Sequence, residues 1–150
     1  MVRHHDGVDS VLEGREIEAA SLAHARTGDL VYSNAGHPAP FVLRRDGSVE
    51  WLSRGGPVLG AVPDATFVNG GAVLNPGDTL LGYTDGILEC RNTRGEEFGV
   101  ERLVDATRSA IAPSASATLF SVLGSVQDFA AAEPRLDDLA LMVVRRLGET

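Results

Sequence analysis

Apolar residues fall in short, strand-like runs through the first 83 positions and take up helical spacing only after residue 99. Ile17 to Arg26 alternates imperfectly and is rich in Ala, and it predicts a strand. Thr27-Gly28-Asp29 punctuates it before the β-rich segment Leu30 to Ser33, so the two predict a hairpin. Asn34-Ala35-Gly36-His37-Pro38 interrupts the pattern. Phe41 to Arg45 and Ser48 to Leu52 flank Asp46-Gly47, a dipeptide suited to a two-residue type I′ turn with positive φ at both positions. In the returning segment Val49 and Trp51 share one face, and Ser48 and Glu50 the other. Arg54 to Pro63 is a Gly/Pro-rich loop, and Ala65 to Leu74 predicts a strand broken at Gly70-Gly71. Pro76-Gly77-Asp78 turns the chain into the apolar strand Thr79 to Tyr83, and Arg91 to Glu97 is a polar loop.

Val100, Leu103, Val104, Thr107 and Ile111 lie on one helical face, which Pro113 ends. Ser114 or Ser116 can cap a second helix, on which Leu119, Val122, Leu123, Val126 and Ala130 repeat the spacing until Pro134. Leu139 to Val144 is a charge-bounded apolar run that predicts a final strand buried on both faces. Residues 1 to 15 are polar and show no period. Antiparallel strands, two helices and a last strand make an α+β fold, with the helices segregated against a sheet.

Composition narrows the function. A chain of 150 residues suits one domain, residues 1–150. Its 21 acidic and 13 basic residues give a net charge of −8, which argues against non-specific binding to nucleic acid or an anionic membrane. The single Cys90 excludes an internal disulfide and suits a reducing cytoplasm. Leu139 to Val144 is the longest unbroken apolar run, far short of the roughly 20 residues that a membrane span needs.

Two acidic positions stand at strand ends: Asp85, in Thr84-Asp85-Gly86, and the pair Asp137-Asp138. If their strands are antiparallel neighbours, Asp85 and Asp137 meet at one edge of the sheet. Two carboxylates that close repel unless a cation lies between them, and hard ions such as Mg²⁺ and Mn²⁺ take such oxygen ligands. The plainer readings are an Asp-Gly turn and a solubilising strand cap. His37 is a candidate ligand, phosphate-binding donor or proton shuttle, or simply a histidine bonded within its own Gly-Pro turn. His4-His5-Asp6 lies at the terminus, a poor place to fix ligand geometry, and reads as solvated. A nucleophilic serine elbow and phosphate-binding glycine loops are absent from the sequence.

The order of the motifs is more specific than any one of them. Tyr32 to Pro40, Asp46-Gly47, Gly56 to Gly60, Pro76-Gly77-Asp78 and Tyr83 to Glu89 come first, then Phe98 to Leu103 and Asp137 to Leu141. Together they resemble the C-terminal part of the SpoIIE/RsbU-type catalytic domain, a bacterial branch of the metal-dependent (PPM-type) Ser/Thr protein phosphatases. The likeness covers about residues 17–146. It implies an antiparallel β-sandwich flanked by helices in α-β-β-α layers. It implies hydrolysis of phosphoserine or phosphothreonine by a water activated at a binuclear Mn²⁺ or Mg²⁺ site. By position, Asp85 and Asp137 resemble metal ligands and Asp138 a less certain one, and His37 belongs to this branch's Ala-Gly-His motif. Family substrates are typically phosphorylated anti-anti-sigma proteins, so the resemblance implies partner switching in transcription or stress control.

The family's N-terminal Gly-Asp and Asp-Gly pair, with the aspartate that bridges both metals, has no match here. Asp6-Gly7 lacks the apolar helical run that should follow. The chain is therefore expected to be an N-terminally incomplete domain, with weak metal binding and little turnover by itself. The alternative function is a catalytically incomplete phosphatase-like fragment that acts as a protein-interaction module. Apolar sheet surface left uncovered is expected to drive self-association.

Overall fold

The computed structural model describes residues 3–5, 8–10, 19–23, 27–110, 114–131 and 139–147, with side chains from residue 27 onward. Its strands are β1 (Arg3–His5), β2 (Val8–Ser10), β3 (Ala19–Ala23), β4 (Asp29–Ala35), β5 (Phe41–Leu43), β6 (Val49–Trp51), β7 (Gly55–Gly56), β8 (Gly70–Val73) and β9 (Thr79–Tyr83). Helices α1 (Asp85–Leu88), α2 (Gly99–Ser109) and α3 (Ala115–Ala130) follow, and β10 (Leu141–Arg145) is the last described element. No helix among the described residues is long and apolar enough to cross a membrane.

The α+β sandwich is present. One sheet has the order β10-β9-β5-β6 and is antiparallel throughout. In the other, β4 pairs antiparallel with β3 on one side and with β8 on its other side. Leu30, Tyr32, Leu52 and Leu74 meet Val42 and Leu80 between the two sheets. On the far face of the β9 sheet, Phe41, Leu81 and Tyr83 pack against Leu103, Val104, Val122 and Val126 of α2 and α3. Burying each such large side chain stabilises by about 1.5–3 kcal/mol. Both helices therefore cover one sheet. The outer face of the other sheet leaves Val31 and Val73 exposed, and the register Val31↔Gly71 and Asp29↔Val73 puts them on one face.

The expectation of a final strand buried on both faces is corrected. That pattern belongs to β9, where every residue is buried between a helix layer and a second sheet. Among the described residues β10 is an edge strand with one covered face, and Met142 and Val144 are 49% and 38% exposed. The expected break at Gly70-Gly71 is a strand instead. A Cβ on Gly70 would lie 2.3 Å from Tyr32 Cζ, so the missing side chain is the room that the Tyr32 ring fills. Gly70→Ala is expected to cost about 1–3 kcal/mol by overpacking, measured by urea unfolding.

The loop at Arg54 to Pro63 contains β7, which runs parallel to the end of β4. This pairing excludes side chains: a Cβ on Gly55 would lie 1.7 Å from the Asn34 carbonyl oxygen. The Asp46-Gly47 turn forms, but not as type I′. Only Gly47 takes a positive φ, +86°. Arg44 N–H donates to Ser48 O at 2.8 Å and Gly47 N–H to Arg44 O at 2.9 Å, closing a three-residue loop with its glycine last. The Asp46 carboxylate, accepting from Ser48 N at 2.9 Å and Ser48 Oγ at 2.6 Å, favours this form. Before the sandwich, β1 and β2 pair antiparallel where no element was expected.

Candidate functional site

Asp85 is placed by β9, a strand whose five residues are all buried. β9 ends at Tyr83, Thr84 stands at extended φ/ψ as the N-cap, and Asp85 opens the single turn of α1. The expected sharp turn at Gly86 is thus a helical turn, and Gly86 has no positive φ. The Asp85 side chain is exposed, whereas Ile87 anchors the turn in the core.

β10 pairs antiparallel with β9, Leu141 opposite Tyr83. Beyond that pair, Thr84 and Ala140 exchange two hydrogen bonds: Thr84 N–H donates to Ala140 O at 3.1 Å, and Ala140 N–H to Thr84 Oγ1 at 2.9 Å. The residue before Asp85 is thereby tied to the residue two after Asp138. Asp137 and Asp138 lie outside the described residues.

Asp85 and His37 line one cleft of about 370 Å³, with Gly36, Pro38, Val58, Thr84 and Gly86. His37 reaches it from the loop after β4. The His37 N–H donates to Asn34 Oδ1 at 2.8 Å, and Asn34 Nδ2 donates to His37 O at 2.8 Å. His37 Nδ1 lies 3.4 Å from Pro38 O, a long contact within its own turn. The Tyr83 hydroxyl donates to Ala39 O at 2.9 Å on the other side of the loop. Burial pushes the Tyr83 phenol pKa up, so it keeps its proton well beyond neutral pH. Cys90 also has its pKa raised by burial, which disfavours the thiolate.

Asn34, Thr84, Tyr83 and Val58 were not singled out from sequence as site residues. A signal existed for Asn34, since Asn before a Gly-containing turn often bonds the backbone a few residues on. For Val58 the signal was the Gly56 to Gly60 motif alone, which does not show that this distant loop reaches the cleft.

A hard carboxylate at an open cleft suits Mg²⁺ or Mn²⁺. Among the described residues, no group of three or more His, Cys, Asp or Glu side chains is placed to hold a metal. Of the expected ligands Asp85, Asp137 and Asp138, the described residues include Asp85 alone.

Comparison with known proteins adds the family. The sequence profile of stage II sporulation protein E (SpoIIE) matches residues 17–147. Protein IcfG of Synechocystis sp. is 40% identical over 78 residues, which are 52% of this chain and 12% of that protein. Phosphoserine phosphatase RsbU of Bacillus subtilis is 29% identical over 118 residues, 77% of this chain and 34% of that protein. The solved RsbU and RsbW domains of Rv1364c from Mycobacterium tuberculosis superpose with a TM-score of 0.69 at 25% identity, covering 88% of this chain and 37% of that one. The Mn-presoaked phosphatase domain of SpoIIE from Bacillus subtilis shares the fold, with a TM-score of 0.66 at 16% identity over 88% of this chain and 57% of that one. The chain spans about a third or less of the two sequence relatives.

Proposed function

Because this chain belongs to the SpoIIE/RsbU family of PPM-type phosphatases, we propose that it supplies one wall of a metal-dependent protein Ser/Thr phosphatase site. The observation that supports this reading is the cleft shared by Asp85 and His37, at the sheet edge where β9 pairs with the strand that follows Asp137-Asp138. Asp85 and Asp137 would hold Mn²⁺ or Mg²⁺, with Asp138 as a further donor. Such an ion, when bound, acidifies a water and neutralises charge on phosphoryl oxygens. The chain's own residues shape the cleft and present donors: His37 would face the phosphoryl group, across from Asp85.

The substrate proposed is a phosphorylated anti-anti-sigma-type protein in the cytoplasm. The similarity to RsbU, and to a structure that joins RsbU and RsbW domains, supports partner switching. The test is Mn²⁺-dependent release of phosphate from a phosphoserine protein. Robust turnover by this chain, lost in Asp85→Asn, supports the enzyme. Partner binding with no turnover supports the second reading, an interaction module.

Self-association belongs to the same proposal. Exposed Val31 and Val73 on one sheet face, and Met142 and Val144 on the edge strand, are apolar surface that a second copy can cover. Sedimentation is expected to show dimers or larger species at high concentration. A stable monomer there would rule this out.

A further inference from the structure

We infer that Asn34 and Tyr83 are positioning residues, which clasp the His37 loop from both ends and set the separation of His37 from Asp85. The phosphatase reading enters only in what the cleft binds. Asn34 is fixed before it acts. It is buried at the end of β4, and its own N–H donates to Arg54 O at 2.8 Å. Its side-chain amide then bonds both backbone groups of a single residue, His37 N–H and His37 O, each at 2.8 Å. Bonds to both peptide groups that flank the His37 Cα fix orientation as well as position, which one bond does not. Gly36 makes the fold-back possible. It sits at φ +87°, and a Cβ there would lie 2.3 Å from a Val58 methyl.

The other end of the loop is held from the opposite sheet. Tyr83 is buried in the helix-side core, with its ring 6.1 Å from that of Phe41. Phenylalanine would satisfy that packing. The hydroxyl adds one interaction, donation to Ala39 O at 2.9 Å. Tyr83 is also two residues before Asp85 on the same chain. Its hydroxyl therefore ties the loop that carries His37 directly to the strand that delivers Asp85. The two walls of the cleft are joined through one phenol and one amide, neither of which lines the cleft itself.

The test uses the ¹⁵N-labelled chain with Asn34→Ala and Tyr83→Phe, first without metal. Amide exchange at His37 is expected to accelerate at least about tenfold in Asn34→Ala, the factor that corresponds to one lost hydrogen bond. Core amides of β9 should keep their protection. Tyr83→Phe, which removes one oxygen and keeps the ring, is expected to loosen Gly36 and His37 in ¹⁵N relaxation with β9 intact. Unchanged exchange and relaxation at His37 in both variants would overturn the clasp. Mn²⁺ alone then serves as the probe of the cleft. In the wild type it should broaden both the His37 ring and the Gly86 amide, whereas in the variants His37 should lose most of its broadening and Gly86 keep it. Equal broadening at His37 in wild type and variants would overturn the positioning role. If Mn²⁺ broadens neither group in the wild type, the metal-site proposal fails, and the metal-free data alone decide the clasp.

Discussion

Asp78→Ala is expected to lower the unfolding free energy by about 3–5 kcal/mol, the range for removing one partner of a buried ion pair. Asp78 is 2% exposed. Its carboxylate accepts from Arg45 N at 3.1 Å, from Asn75 N at 2.9 Å and from the Arg44 guanidinium. Arg44 also bonds the Val73 carbonyl and Glu50, so one cluster joins β5 and β6 to the end of β8 and the Pro76-Gly77 turn. Truncation orphans two backbone N–H groups and leaves Arg44 with the partly exposed Glu50 as its carboxylate partner. The Arg44 side chain is 20% exposed, so water recovers part of the loss, and the lower half of the range is expected. Asp78→Asn retains an acceptor but not the charge, and should lose less. Urea unfolding followed by circular dichroism measures both. A loss below about 1 kcal/mol for the alanine variant would place Asp78 among ordinary surface carboxylates.

Asp78 also shows where sequence reading stops. Pro76-Gly77-Asp78 was legible as a turn, because proline, glycine and aspartate each favour one for a local reason. That the aspartate is buried, and that its partner lies 34 residues away on another hairpin, is not a local property. The same division runs through the fold. The strand segments, both helices and the Ser114 cap, which accepts from Ala117 N at 3.2 Å, followed from period and capping chemistry. The misreadings arose where a residue answered to a distant neighbour. Gly70 looked like a break because the Tyr32 ring that fills its place is 38 positions earlier. Leu139 to Val144 looked doubly buried because hydropathy cannot tell a central strand from an edge strand whose second face stays uncovered.

At the candidate site the legible part was a condition. Asp85 and Asp137 could meet only if the strands beside them were antiparallel neighbours, and β9 and β10 are such a pair. His37 drew notice as a titratable group beside glycine and proline, and it lines the same cleft as Asp85. The groups that hold it there, Asn34 and the Tyr83 hydroxyl, carry no chemistry of their own. Composition and spacing single out reactive groups and pass over the ones that position them.

Asp85→Asn is expected to weaken Mn²⁺ binding by at least about 10²-fold, since loss of partners one shell further out already costs 10–100-fold. The substitution keeps size and one carbonyl oxygen but removes the charge that a hard divalent ion requires. Phosphoprotein hydrolysis, where this chain shows it, should fall by no less. Stability should change by under about 1 kcal/mol, because Asp85 is exposed and contributes only an acidic residue to the first turn of a four-residue helix. That separation is the diagnostic. A ligand loses metal affinity with the fold intact, whereas a turn-forming Asp-Gly loses stability and leaves affinity alone. Isothermal titration with Mn²⁺ and urea unfolding of the same samples read the two independently. Asp137→Asn is expected to match Asp85→Asn, and Asp138→Asn decides whether the second carboxylate of the pair takes part. Unaltered Mn²⁺ affinity in Asp85→Asn would remove this wall from any metal site and leave the cleft to bind its partner through His37 and Val58.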